Sequence, residues 1–272
     1  MLCGDGGWGL VRRATLTVGV WADLEAAGLR AVVTTRHGGV SVGAYESLNL
    51  GDHVGDDPER VLVNRARAAT AAGLAPSDLV LARQVHGCTV AVVGDADRGR
   101  GALPGEAPVA DADVLLTDRP GVGLTVLAAD CVPVLLWSPE AGWLAVVHAG
   151  WRGTAAGAVP AAVAALEDRG APPATLVAAV GPAIAAERYQ VGSEVAGALR
   201  AALGVDHEEV LIPDGAGHWR ADLVAANLAQ LRALGVARAA VAPAATGADG
   251  PFYSDRAARP CGRFGLIAAL TG

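Results

Sequence analysis

Short apolar runs rich in β-branched residues alternate with stretches of helical period along this chain. The runs at 15–18, 30–35, 79–85, 89–93, 114–117, 123–128, 134–137, 143–148 and 176–180 are each closed off nearby by Gly, Pro or Asp, and they read as strands. Residues 58–72, 154–168, 193–203 and 221–234 read as helices. Asp57 followed by Pro58 is an N-cap with proline at the first helical position. Gly73, Gly204 and Gly235 stand just past helix ends, where a left-handed cap is expected, with Gly170 close behind Asp168. Pro160 implies that the second helix starts late or kinks. Strands outnumber helices, and several follow one another with no helix between. That predicts an α/β (α+β) sandwich, a mixed β-sheet core with flanking helices, as a single domain over 14–272. Residues 1–13 are Gly-rich and read as a ragged leader, and the Pro/Gly-rich stretches 99–108, 213–217 and 242–251 as loops.

Composition narrows the chemistry. Apolar residues make up 52% of the chain and charged residues 18%, so disorder is excluded. The closest approach to an uncharged spanning segment, 171–186, is interrupted by Pro172, Pro173, Gly181 and Pro182. With no signal-peptide order at the N-terminus, a cytoplasmic protein without a membrane partner is expected. The 21 basic residues are all arginine. Without lysine there is no Schiff-base lysine, no P-loop lysine and no kinase-type lysine. The net charge of -7 argues against a nucleic-acid partner. Cys3, Cys88, Cys131 and Cys261 lie far apart without a C-x-x-C pair, which is neither a disulfide framework nor a zinc ribbon.

Two glycine motifs fail on context. Residues 4–9 match G-x-G-x-x-G but follow no strand and open no helix. Residues 39–43 match G-x-S-x-G, which makes Ser41 a serine-hydrolase candidate, yet loop rather than helix is expected after it.

One constellation survives. His86, Cys131 and His148 each fall at or just after the end of an expected strand, where side chains converge on clefts. Together they suit a zinc site with its fourth position open. Singly, each is as well explained as a buried or edge residue. Arg152, in the turn after His148, and Arg36, in the turn at 34–39, offer guanidinium groups for an anion or for surface ion pairs. Asp130, beside Cys131, is a candidate orienter or general acid/base, or a cap of its own turn. Cys131 activated by a histidine would instead make a cysteine hydrolase.

Several blocks occur in a specific order: Thr34-Thr35-Arg36-His37-Gly38-Gly39-Val40-Ser41, Ser47-Leu48-Asn49-Leu50-Gly51, Val54-Gly55-Asp56, Gln84-Val85-His86-Gly87, Asp111-Ala112-Asp113, Ala129-Asp130-Cys131-Val132-Pro133, His148-Ala149-Gly150-Trp151-Arg152-Gly153 and Gly181-Pro182-Ala183-Ile184. From about Val32 to the C-terminus the chain resembles the bacterial purine nucleoside phosphorylases formerly called polyphenol oxidases or laccase-domain proteins. That resemblance implies an α/β sandwich and a zinc site on His86, Cys131 and His148. It implies phosphorolysis of adenosine, inosine and methylthioadenosine, with adenosine deamination as a second reaction. Copper-dependent oxidation and peptidoglycan-precursor editing are linked to some members. Carried onto these residues, it makes Cys131, Asp130 and Arg36 catalytic candidates, and Arg36, Arg152 and Trp151 candidates for holding phosphate and purine. The partners expected are a nucleoside and phosphate, with the protein a monomer or homodimer. The chain departs from the family at Ala245-Thr246, where Cys-Thr is frequent, at Phe252-Tyr253-Ser254-Asp255-Arg256, where Phe-Phe-Ser-x-Arg is frequent, and in lacking a cysteine after Ile184.

Overall fold

The computed structural model describes residues 2–204 and 209–272. Two sheets stack face to face, with helices on both outer sides. The seven-stranded sheet runs β1 (Leu2–Gly4), β16 (Arg238–Val241), β11 (Val177–Val180), β9 (Val132–Ser138), β10 (Trp143–Ala149), β7 (Val114–Thr117), β6 (Val90–Val92). The six-stranded sheet runs β2 (Trp8–Arg13), β3 (Leu16–Trp21), β4 (Leu29–Thr34), β18 (Phe264–Leu270), β8 (Gly123–Ala128), β5 (Leu79–Leu81). Both are mixed: β9, β10 and β7 pair antiparallel, while β11 with β16 and β5 with β8 pair parallel. Two small sheets complete the strands, β12 (Ala183–Ile184) with β17 (Ala245–Thr246), and β13 (Gln190–Gly192), β15 (His218–Ala221), β14 (Leu211–Pro213).

The alternation of side chains along each strand builds three cores. On β9, Val134 and Leu136 face one way, joining Val159, Ala162, Val163 and Leu166 of a covering helix. Leu135 and Trp137 face the other way and meet Val33, Val126 and Leu266 of the second sheet. The outer face of that sheet, with Val18, Val32 and Ile267, is covered by Ala68, Ala69 and Ala71. Strands β8, β9 and β18 are buried at every position, and β8 and β9 accordingly read as largely apolar runs. β18 was not among the expected strands, although it pairs with both β4 and β8. Gly265, Ala268 and Ala269 dilute its β-branched character.

The helices are α1 (Ala22–Ala26), α2 (Pro58–Ala71), α3 (Trp151–Ala156), α4 (Ala158–Glu167), α5 (Ser193–Leu203) and α6 (Leu223–Ala233). Asp57 caps α2 by accepting from the Glu59 N–H, with Pro58 in the first turn, as the sequence predicts. The helix expected over 154–168 is instead two. Gly157, left-handed at φ 82, separates α3 from α4, and Pro160 sits in the first turn of α4, where its missing N–H costs nothing.

Residues 1–13 are not a ragged leader where the structure describes them. β2 pairs with β3 from Trp8↔Trp21 to Arg13↔Leu16, and β1 pairs with β16. Trp8 packs edge-on against Trp21 at 4.7 Å between ring centroids. A Cβ on Gly19 would lie 2.1 Å from the Trp8 ring, so a bare position diagonally across on β3 makes room for it. β2 has no fully buried residue, so its pattern lacks the apolar signal of the central strands.

Candidate active site

Two segments cross from the six-stranded sheet to the seven-stranded one. The first leaves β5 for β6 and carries His86; the second leaves β8 for β9 and carries Cys131. His148 lies near the end of β10, opposite Pro133 of β9. The donor atoms of His86, Cys131 and His148 all lie within 4.8 Å of one another, and the two imidazoles meet edge to face. His148 is buried, Cys131 half-buried and His86 exposed, so the cluster opens to solvent on the His86 side.

His86 does not end a strand, as 79–85 suggested. β5 stops at Leu81, and the Gln84 side chain continues the pairing in place of backbone: its Nε2 donates to the Leu127 carbonyl and its Oε1 accepts from the Leu127 N–H. The chain then turns through His86 in the left-handed region, at φ 61. Such a backbone costs about 1–3 kcal/mol in a non-glycine residue and needs support from its surroundings. Asp113 supplies it, accepting from the N–H groups of Val85, His86 and Gly87 at 3.1, 3.0 and 2.7 Å. The same carboxylate lies 2.8 Å from His148 Nδ1. One buried Asp therefore orients both histidines. With Nδ1–H of His148 donating to Asp113, Nε2 is the nitrogen left for a ligand bond.

The donor set fits a metal. Two imidazoles and a thiolate suit zinc, and the soft sulfur also suits copper. Burial pushes the Cys131 thiol up, but the charge of His148 and hydrogen bonds to both histidines outweigh it and bring the group down to about 6. Burial likewise pulls the His148 imidazolium down, while Cys131 and Asp113 more than offset this and raise it to about 9. The thiolate a metal requires is thus favoured by the protein itself. Space is reserved as well: a Cβ on Gly150 would fall 2.6 Å from Cys131 Sγ and 3.1 Å from His86 Cδ2.

The cluster opens into a cavity of about 800 Å³ that is also lined by Gln84, Asp130, Trp151, Arg152, Tyr189 and Arg256. Arg152 lies over the Trp151 ring at 4.3 Å. Asp130 is buried and left-handed at φ 95. Its Oδ1 accepts from the Thr246 hydroxyl and its Oδ2 from the Arg256 N–H at 2.7 Å, so the carboxylate ties the Cys131 turn to the C-terminal segment.

Two expected residues fall elsewhere. Arg36 does not line the cavity. Its guanidinium donates to the carbonyls of Glu46 and Ala248 and faces the Tyr253 ring at 5.0 Å, while its own carbonyl accepts from Ser47 and Leu48 N–H. Ser41 is 3% exposed, donates to Asp56 at 2.6 Å and accepts from Asn64. With a carboxylate and an amide as partners and no histidine, it is a buried strut rather than a nucleophile. Sequence reading did not single out Asp113, Gly150, Tyr189 or Arg256. Asp113 and Gly150 stand in blocks that carry the resemblance, Arg256 in a block where the chain departs from the family, and Tyr189 has no local signal.

A family model described as multi-copper polyphenol oxidoreductase laccase matches residues 30–271. A protein of Streptomyces coelicolor named purine nucleoside phosphorylase is 43% identical over 85% of this chain and 90% of its own length. A purine nucleoside phosphorylase of Deinococcus radiodurans is 43% identical over 88% of this chain and 87% of its own. The crystal structure of YlmD from Geobacillus stearothermophilus superposes with a TM-score of 0.91 at 35% identity, covering 97% of this chain and 99% of that one. The chain therefore belongs to the multi-copper polyphenol oxidoreductase laccase family, and its relatives carry the purine nucleoside phosphorylase name.

Proposed function

We propose that this protein is a metal-dependent purine nucleoside phosphorylase that holds zinc on His86, Cys131 and His148. Adenosine, inosine and methylthioadenosine are its substrates, and adenosine deamination is a second reaction of the same cavity. The observation that carries this reading is the meeting, in one cavity, of the His/Cys/His donor set with a guanidinium, Arg152, that has no carboxylate partner among the described residues. The names of relatives at 43% identity support it.

In phosphorolysis an oxygen of hydrogen phosphate forms a bond to the anomeric carbon of ribose as the bond to the purine nitrogen breaks. The base leaves with that electron pair and takes the proton phosphate brings, giving ribose 1-phosphate. Charge builds on the sugar as on an oxocarbenium ion, and on the departing base. Arg152 binds and orients phosphate through its planar fork. The Trp151 face, next to it, offers a surface for the purine. A metal ion, when bound, supplies Lewis-acid charge at its open coordination position. Asp113 fixes the ring of His148 and the backbone that presents His86, and Gly150 keeps the space beside the thiolate clear.

Purified protein is assayed for bound metal, then for phosphate-dependent release of hypoxanthine and ribose 1-phosphate from inosine. Stoichiometric zinc and strictly phosphate-dependent turnover are expected. A Cys131→Ala protein that keeps its zinc and full turnover would sink the proposal. The low thiol pKa of Cys131 favours one second reading, a cysteine nucleophile paired with His148. Covalent trapping of an acyl group on Cys131 in the metal-free protein would support that reading instead.

A further inference from the structure

Arg65, Arg83, Arg152, Arg256, Arg259 and Arg263 border the cavity. Four of them have carboxylate partners: Arg65 pairs with Asp52, Arg83 with Asp111, and Arg259 and Arg263 share Asp255. Arg152 and Arg256 have no carboxylate partner among the described residues. Each lies instead over an aromatic ring, Arg152 on Trp151 at 4.3 Å and Arg256 on Tyr189 at 4.9 Å. Arg256 gives one nitrogen to the Gln190 carbonyl, which leaves most of its donors free.

Tyr189 belongs to the same group. It is 9% exposed, and its hydroxyl has no hydrogen-bond partner among the described residues. Its phenol feels the charges of Cys131, Arg256, Asp130 and Arg152. Tyr189 lines the cavity, and its hydroxyl is not a fully buried atom, so it is a donor available to a ligand there. Two uncompensated guanidinium groups facing one cavity also repel each other, in a chain whose net charge is -7. A small oxyanion relieves that repulsion and can accept from the phenol as well.

We propose that Arg152, Arg256 and the Tyr189 hydroxyl form the oxyanion subsite of this cavity, that it takes inorganic phosphate, and that Asp130 is its positioning residue. The assignment of phosphate as a substrate there rests on the phosphorylase reading. Asp130 acts through the backbone: its carboxylate holds the Arg256 N–H, so the turn that presents Cys131 also sets where the Arg256 guanidinium begins. Two groups 126 residues apart in sequence are thereby locked to one another.

Inorganic phosphate is titrated calorimetrically into the metal-loaded wild type and into Arg256→Ala, Arg256→Lys, Tyr189→Phe and Arg169→Ala, and KM is measured separately for phosphate and for inosine. Arg169 lies over Trp143, outside the cavity, and serves as the control arginine. Losing a charged hydrogen-bonding partner weakens phosphate about 10–100-fold in Arg256→Ala. The inosine KM stays close to wild type, Arg256→Lys recovers part of the loss, Tyr189→Phe shows a smaller loss, and Arg169→Ala shows none. Asp130→Asn takes away the acceptor of the Arg256 N–H, lets the Arg256 guanidinium shift, and raises the phosphate KM with the inosine KM close to wild type. An Arg256→Ala protein with wild-type melting temperature, metal content and phosphate affinity overturns the subsite. If Arg256→Ala does not fold, Tyr189→Phe removes one hydroxyl only, and unchanged phosphate affinity there overturns the assignment. A wild type that binds phosphate through Arg256 yet converts no nucleoside keeps the subsite and overturns the phosphorylase reading. Phosphorolysis indifferent to Arg256 does the reverse.

Discussion

Asp113 and His148 meet twice: the Asp113 carboxylate lies 2.8 Å from His148 Nδ1, and the Asp113 carbonyl accepts from the His148 N–H at 2.8 Å. Main chain and side chain of one residue thus hold one ligand. The same carboxylate gathers the three N–H groups of the loop that presents the other histidine. Burial alone would raise this carboxyl; the hydrogen bonds from His148, Gly87 and Val85 overcome it and keep Asp113 below the usual range. Replacing Asp113 with Ala therefore releases His86 and His148 together. Metal affinity falls about 10–100-fold, the usual effect of losing such a partner. Competition against a chelator measures it, and wild-type affinity in Asp113→Ala would show that the ligands are oriented by something else.

Gly150 tests the room around the thiolate. Its φ is -74, so alanine is not strained there by backbone conformation. The added methyl would instead meet Cys131 Sγ at 2.6 Å. Gly150→Ala is expected to lose metal stoichiometry and activity while keeping the far-UV circular dichroism of the wild type. Full metal content in a folded Gly150→Ala protein would count against the donor geometry.

Arg36 is expected to matter for stability rather than for phosphate. Arg36→Ala removes two hydrogen bonds to the carbonyls of Glu46 and Ala248 and the contact over Tyr253. Net losses for such exposed bonds are about 1–2 kcal/mol. Denaturant unfolding reads this, and the phosphate KM stays at the wild-type value. A raised phosphate KM with unchanged stability would return Arg36 to the binding site.

In the metal-free protein, Cys131 and His148 set a pH window. The Cys131 pKa is lowered from 9.0 to about 6, so its contribution to stability is complete above 9.0 and lost as pH falls through about 6. The His148 pKa is raised from 6.5 to about 9, so its contribution is complete below 6.5 and lost as pH rises through about 9. The thiolate–imidazolium pair is therefore retained between these limits. Thiolate absorbance of metal-free protein should persist down to about pH 6, and His148→Ala should move the midpoint up toward 9.0. A midpoint unmoved by His148→Ala would show that the histidine charge does not set it.

Much of this molecule is legible in its sequence. The central strands are largely apolar because both faces are buried, and α2 carries its own start signal in Asp57 and Pro58. β2 and β18 escape notice for opposite reasons. The first is a half-exposed edge mixed with arginine, and the second a buried strand diluted by glycine and alanine. Gly157 ends α3 by its left-handed backbone, so Pro160 does not have to.

The sequence by itself determined the kind of chemistry available. Without lysine, anions fall to arginine, backbone or metal, and His86, Cys131 and His148 are the residue types a zinc or copper site needs. Only the tertiary structure decided which arginines face the cavity. Arg36 is drawn away to carbonyls at 46 and 248, whereas Arg256 is brought to the cavity by Asp130. It also decided that Asp113, rather than Asp130, orients the histidines. These are contacts between residues 10 to 212 positions apart. They exist because two stacked sheets bring their crossing segments together, and a local pattern carries no record of that packing.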